Sequence, residues 1–141
     1  MIRLLFVCIE NSCRSQMAEG FARAFGGGQV EACSAGSHPS GQVNVRATAF
    51  MREKGIDISG HRSKGLDDLP SVQWDYIVTM GCGDACPAVP ARTRIDWDLP
   101  DPKNMDNDGF RAVRDGIERH VRDLVAGAME SETYGRGESN P

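Results

Sequence analysis

The sequence predicts an α/β fold, a single open parallel sheet of four strands flanked by helices. Three observations carry this expectation. Short runs of branched apolar residues alternate with longer stretches whose apolar residues recur every three or four positions, the pattern of strands alternating with amphipathic helices. The chain has 141 residues, which suits one compact domain with a real core and is too few for two. Strands and helices in alternation imply parallel strands joined by right-handed crossovers, with ligands at the carboxyl ends of the strands.

Ile2 to Cys8 is apolar except for Arg3, so it reads as a strand covered on both faces, ended by Glu10, Asn11 and Ser12. From Ser15, the residues Met17, Ala18, Phe21, Ala22 and Phe25 recur at helical spacing, and Gly26, Gly27 and Gly28 supply a stop. Residues 29–35 read as a second strand, and Val43, Ala47, Phe50 and Met51 mark a second helix ending near Gly55. A third strand spans 76–80. After a loop at 81–90 rich in Gly, Cys and Pro, residues 93–99 offer a weaker fourth strand, broken by Pro100 and Pro102. Phe110, Val113, Ile117, Val121, Leu124 and Val125 trace one face of a last helix. The domain is expected to occupy 1–129. Residues 130–141, with Gly135, Gly137 and Pro141 and a single large side chain, Tyr134, read as a flexible tail.

Hydrophobic residues make up 40% and charged residues 26% of the chain, an ordinary balance for a soluble domain. No apolar run is long enough for a membrane span, and the apolar start leads into polar residues rather than a signal-peptide cleavage pattern, so a cytoplasmic protein is expected. Sixteen basic against 20 acidic residues leave a net charge of −4, which argues against a nucleic-acid partner. Any anion must therefore be held by local chemistry. Five cysteines, an odd number without a secretion signal, speak for reactive, redox or buried thiols and against a disulfide framework.

The loop after the first strand is where a ligand is expected. Cys8 ends the strand, Arg14 lies six residues on, and Ser15 opens the helix. A loop of that length can curl until successive backbone N–H groups point at one centre, backed by the partial positive charge of the helix N-terminus. A tetrahedral oxyanion would be bound by Ile9, Glu10, Asn11, Ser12, Cys13 and Arg14. The same field favours thiolate over thiol at Cys8 and makes it the candidate nucleophile. Arg14 offers two anion oxygens a planar fork, Ser15 can donate a hydroxyl hydrogen bond to the Cys8 sulfur, and Asn11 tolerates the left-handed backbone a sharp curl requires.

The string CIENSCRSQMAEGFAR, from Cys8 to Arg23, resembles the phosphate-binding loop of the low-molecular-weight protein tyrosine phosphatase superfamily. NSCRSQMAEG is most similar to its thioredoxin-coupled arsenate reductase branch. Ser34-Ala35-Gly36, Ile58-Ser59 with His61, Trp97 and Asp101-Pro102 follow in family order, so the resemblance covers residues 1 to about 126. It implies the flavodoxin-like strand order. It also implies a reaction: Cys8 attacks arsenate, Asp101 acts as general acid, Cys82 then attacks Cys8 as arsenite leaves, and Cys86 attacks Cys82. The resulting disulfide would be reduced by thioredoxin, with no bound cofactor, in a protein expected to be a monomer.

Reduction is favoured over hydrolysis because Gln16 stands where the phosphatases have Pro, and Lys103-Asn104 where they have aromatic residues. Phosphate and sulfate would bind as mimics of arsenate, and a phosphatase or a cysteine phosphocarrier are the alternatives. Cys82 sits one position from where the better-known relatives place their resolving cysteine. Were residues 82–86 helical, the two Cβ atoms would lie ~5 to 6 Å apart, beyond the ~3.5 to 4.5 Å of a disulfide. Oxidation must therefore distort the segment, with Gly81 and Gly83 as hinges. Cys13 and Cys33 are expected to pack, His61 to be structural, and no histidine base is proposed. A zinc site at Cys82 and Cys86 lacks two further ligands. Some reductases of the branch bind potassium through positions corresponding to Asn11, Glu19, Ser34 and an acidic residue; Lys64 stands at the last position here, so no metal site is expected.

Overall fold

A computed structural model of the chain describes residues 1–81 and 89–139. Four parallel strands form one sheet: β1 (Ile2–Cys8), β2 (Val30–Gly36), β3 (Trp74–Met80) and β4 (Ala91–Trp97), in the order β2-β1-β3-β4. Among the described residues, three α-helices accompany them: α1 (Arg14–Gly26), α2 (Val45–Arg52) and α3 (Asn107–Ser139). The expected class and strand order are both present.

β1 is central and covered on both faces because its side chains alternate between two apolar layers. Ile2, Leu4, Phe6 and Cys8 join Met17, Phe21, Phe50, Met51, Phe110, Ile117 and Val121 under the helices. Leu5 and Val7 join Ala35, Trp74 and Ile77 on the opposite face, beneath Leu66, Leu69 and Val72. Phe110 and Ile117 are fully buried and mark the α3 stripe that the apolar periodicity had traced.

The boundaries differ from the sequence expectation for identifiable reasons. β3 starts at Trp74 rather than 76, because Trp74 is buried and in register with Ala91 despite the charge on Asp75. β4 runs two residues earlier than 93–99. Trp97 is in register with Met80, the last residue of β3, and the Leu99 amide then turns back onto the Trp97 carbonyl at 3.0 Å, ending the strand. As an edge strand β4 exposes Arg92, Thr93 and Arg94, which weakened its signal. α2 begins only at Val45, since the Asn44 side chain accepts from the amides of Arg46 and Ala47 and caps the helix. α3 runs on to Ser139, through most of the stretch expected to form a flexible tail. Gly135 and Gly137 each cost ~1 kcal/mol against alanine without removing a backbone donor, and the one proline of the stretch stands at 141, past the helix end.

α3 is pinned to the turn after α2 through Glu53. Arg111 donates to it from Nη2 at 2.9 Å and Arg114 from Nη1 at 2.6 Å. These two guanidinium groups hold the Glu53 carboxyl down at about 2, from an ordinary 4.5. A carboxyl depressed by folding contributes stability that is fully present above its unfolded value and is lost as pH falls toward the folded one. The denaturation midpoint of Glu53→Gln should therefore lie below wild type at pH 7 and converge on it between pH 4.5 and about 2. A gap that stayed constant with pH would disprove the assignment. No helix among the described residues is long and apolar enough to cross a membrane.

Candidate active site

The segment from Cys8 to Arg14 curls at the carboxyl end of β1, and its carbonyl groups are held facing outward. The oxygens of Cys8, Ile9, Glu10 and Ser12 accept from the amides of Ser37, His38, Ser40 and Asn44 at 3.3, 2.8, 3.1 and 3.1 Å, and Ser63 Oγ donates to Glu10 as well. Among the described residues, the amides of Glu10, Asn11, Ser12 and Cys13 donate to no protein acceptor, so these N–H groups remain for a ligand. Asn11 takes the left-handed backbone at φ 52°, as its sequence position suggested. Gly36 makes the tight seat possible: a Cβ there would lie 2.4 Å from the Ile9 carbonyl oxygen.

Cys8 sits buried at the floor, and its sulfur is 2.8 Å from Ser15 Oγ. The direction of this bond follows from the neighbours. Asn11 Oδ1 accepts from Gln16 Nε2 at 2.9 Å and from the Lys64 amide at 3.0 Å, which turns Asn11 Nδ2 toward Ser15 Oγ at 2.8 Å. That oxygen already accepts, so its hydrogen is directed to Cys8 Sγ. Gln16 Nε2 also donates to the Arg62 carbonyl, which leaves Gln16 Oε1 facing His61 Nδ1 at 3.1 Å, so that nitrogen carries the hydrogen. Burial pushes the His61 imidazole below its usual range, against the opposing pull of Glu19.

Arg14 is 7% exposed and reaches back from the start of α1. Its Nη1 donates to the Leu99 carbonyl at 2.9 Å, and Nη2 stands 3.9 Å from Asp101 Oδ2. Asp101 is half exposed, and its other oxygen accepts from the Lys103 amide at 3.0 Å, capping the turn Pro102–Asn104. Lys103 Nζ meets Glu10 at 3.3 Å across the mouth. Cys8, Ile9, Glu10, Ser12, Cys13, Arg14, Asp101 and Lys103 together line a cavity of about 190 Å³, large enough for an inorganic oxyanion. Burial, reinforced by the charges of Asp101 and Cys8, pushes the Cys13 thiol up to about 12, so it stays protonated at neutral pH as a packing residue does. Cys33 is likewise shifted upward, chiefly by burial. The sequence candidates Cys82 and Cys86 lie outside the described residues.

Beneath the loop, Glu19 is buried at 2% exposure. Ser34 Oγ donates to its Oε1 at 2.7 Å and Lys64 Nζ stands 3.6 Å from the same oxygen, while Arg23 Nη2 and His61 Nδ1 lie 3.1 and 3.4 Å from Oε2. An ammonium thus faces the carboxylate from the position where a potassium-binding relative would carry an acid. These residues do not fit a bound cation, and no group of three or more metal-ligating side chains occurs among the described residues. Sequence reasoning missed Gln16 as the staple between Asn11 and His61, and it missed the Leu99 carbonyl as a partner of Arg14. A glutamine at the third position of a helix was the available signal for the first; a backbone acceptor 85 residues away leaves none.

The family described as low molecular weight phosphotyrosine protein phosphatase matches residues 3–133. The chain belongs to this family. Within the low molecular weight phosphatase family it is similar to proteins named for another reaction. The glutaredoxin arsenate reductase of Synechocystis sp. is 40% identical over 129 residues, covering 89% of this chain and 98% of that one. A solved arsenate reductase in its phosphate-binding state superposes with a TM-score of 0.81 at 38% identity, over 90% of this chain and 98% of the other. The thioredoxin-dependent arsenate reductase of Corynebacterium glutamicum gives a TM-score of 0.77 at 29% identity, covering 93% of this chain and 63% of that one. The fold and the branch that the loop sequence resembled are both supported.

Proposed function

We propose that this chain is an arsenate reductase that converts arsenate to arsenite through a cysteine relay. The observation that carries the reading is Cys8, held by the Ser15 hydroxyl at 2.8 Å on the floor of an oxyanion-sized cavity lined by Arg14 and Asp101. Arsenate would be held by the inward amides of the loop and the Arg14 fork. The Cys8 thiolate attacks arsenic while Asp101 gives its proton to the departing oxygen, which leaves as water and creates a Cys8–arsenic bond. Cys82 then attacks the Cys8 sulfur. A Cys8–Cys82 disulfide forms, the sulfur–arsenic electron pair passes to arsenic, and arsenite leaves two electrons richer. Attack by Cys86 on Cys82 frees Cys8 and leaves a Cys82–Cys86 disulfide for an external dithiol.

Thioredoxin is the proposed reductant, as the name of the C. glutamicum relative suggests, while the Synechocystis name points to glutaredoxin. The assay compares them directly: arsenate with thioredoxin, thioredoxin reductase and NADPH should drive NADPH oxidation, faster than glutaredoxin with glutathione does. Absence of turnover with either donor would sink the reductase reading. Hydrolysis of a small aryl phosphate is the second reading. It needs only Cys8, Arg14 and Asp101, and phosphate occupancy of a 38% identical relative favours it as a side activity.

A further inference from the structure

The residue that precedes Cys82 touches the oxyanion site without having a side chain. Gly81 follows the last residue of β3 and adopts φ +75°, and a Cβ placed on it would lie 2.6 Å from Arg14 Nη1 and 3.6 Å from both Arg14 Cζ and the Leu99 carbonyl oxygen. Gly27, Gly41 and Gly55 also have positive φ, at 55, 85 and 76°, yet nothing stands within 4 Å of a Cβ at any of them. Left-handed backbone alone explains glycine at those three positions. At Gly81 a second demand is present, and it comes from a guanidinium that lines the anion cavity.

We propose that Gly81 is a positioning residue for oxyanion binding, its missing side chain being the seat in which the Arg14 guanidinium lies against the Leu99 carbonyl. The inference rests on the reading that the cavity takes an oxyanion. Arg14 is buried and its Nη1 is committed to Leu99 at 2.9 Å, which fixes the plane of the fork and leaves its other N–H groups for the cavity. A Cβ at 81 cannot coexist with Nη1 in that place. Of the two, the guanidinium is the part that can move, since it ends a flexible side chain, whereas residue 81 continues a paired central strand. A side chain at 81 therefore pushes the fork off its carbonyl and changes anion affinity before it changes the fold. The same contact ties the anion site to the first residue of the segment that carries the proposed relay cysteines.

The test uses the reduced 141-residue chain, with Gly81→Ala, Gly81→Asn and Gly55→Ala. Gly55 has nearly the same φ in open space, so Gly55→Ala carries the backbone strain alone, and asparagine tolerates left-handed angles, so Gly81→Asn carries mainly the Cβ contact. Two readings are taken: calorimetric titration with inorganic phosphate, and the rates at which Cys8 is alkylated by anionic iodoacetate and neutral iodoacetamide, followed on the Cys8 peptide by mass spectrometry. Both Gly81 variants should bind phosphate roughly tenfold to a hundredfold more weakly. They should lose the iodoacetate advantage while keeping the iodoacetamide rate, and Gly55→Ala should match wild type in all three. Phosphate affinity within about twofold of wild type, a loss shared by Gly55→Ala, or an equal fall in both alkylation rates would overturn the proposal. So would failure of both Gly81 variants to fold while Gly55→Ala folds. If wild type itself binds no phosphate, the oxyanion reading fails and takes this inference with it; wild-type binding with unchanged Gly81 variants overturns the inference alone.

Discussion

Cys8→Ser should abolish both arsenate reduction and aryl phosphate hydrolysis, a loss of at least about four orders of magnitude in kcat of the kind seen when a covalent nucleophile is removed. The serine hydroxyl is a far weaker nucleophile than a thiolate, and among the described residues the side chain bonded to that position is the Ser15 hydroxyl, which donates and cannot act as a base. Cys82→Ser and Cys86→Ser should behave differently. Each should complete at most one turnover with arsenate, because electrons can no longer leave through the relay, while hydrolysis of a small aryl phosphate continues. In the proposed mechanism hydrolysis draws on the loop, Arg14 and Asp101, whereas electron delivery draws on the added thiols. The measurement is a pair of assays on each variant, one coupled to thioredoxin and NADPH and one following release of the aryl alcohol. Full arsenate turnover by Cys82→Ser would show that the order of attack is wrong. Hydrolysis surviving Cys8→Ser would remove Cys8 from the chemistry altogether.

What the sequence revealed of this site, and what it hid, follows from how local each feature is. Cys8, Asn11, Arg14 and Ser15 lie within one strand–loop–helix unit, and their spacing alone implied a curled anion loop with a left-handed residue at 11 and a hydroxyl beside the sulfur. Element alternation implied parallel strands, and their order was legible only through the family that the loop sequence resembled. Boundaries slipped where pairing or capping overrode composition, as at Trp74, whose burial and register the neighbouring Asp75 concealed, and at Asn44, whose cap delays α2 by two residues. The supports of the site were hidden for a different reason: they are contacts between distant segments. The carbonyl acceptors of the loop bond to residues 37–44, Gln16 bonds to His61 and the Arg62 carbonyl, and Arg14 bonds to the carbonyl of Leu99. Backbone acceptors carry no residue-type signal, so no reading of side-chain chemistry could have found them. Lys64 was intermediate. Its departure from an acidic position was visible in the sequence, but its approach to Glu19 at 3.6 Å required the fold.

That approach makes Lys64 a position at which substitution should cost stability without touching the nucleophile. Glu19 is buried, and of the cations around it Arg23 is half exposed while His61 is held below its usual range by burial. Among the described residues, Lys64→Met removes the well-shielded permanent charge facing Glu19 Oε1 and leaves that oxygen with the Ser34 hydroxyl. Taking one partner from a buried pair costs ~3 to 5 kcal/mol; with Arg23 and Ser34 remaining, about 2 kcal/mol is expected. For a domain of this size that is a fall of roughly 6 °C in Tm. The loss should depend on pH with a definite sign. Lys64 opposes protonation of His61 and Glu19 favours it, so without Lys64 the folded-state pKa of the imidazole rises. A folded pKa raised relative to wild type adds stability as pH falls, so the deficit of Lys64→Met should be largest at pH 8 and shrink on acidification through 6.5. Potassium gives an independent reading: wild type and Lys64→Met should melt at the same temperatures in potassium chloride as in choline chloride of equal ionic strength, whereas Lys64→Asp, which places a second carboxylate beside Glu19, should be the least stable variant and recover only in potassium. Thermal unfolding of the three proteins in the two salts decides it. A wild-type Tm that rises specifically with potassium would mean that the ammonium does not hold the place beside Glu19.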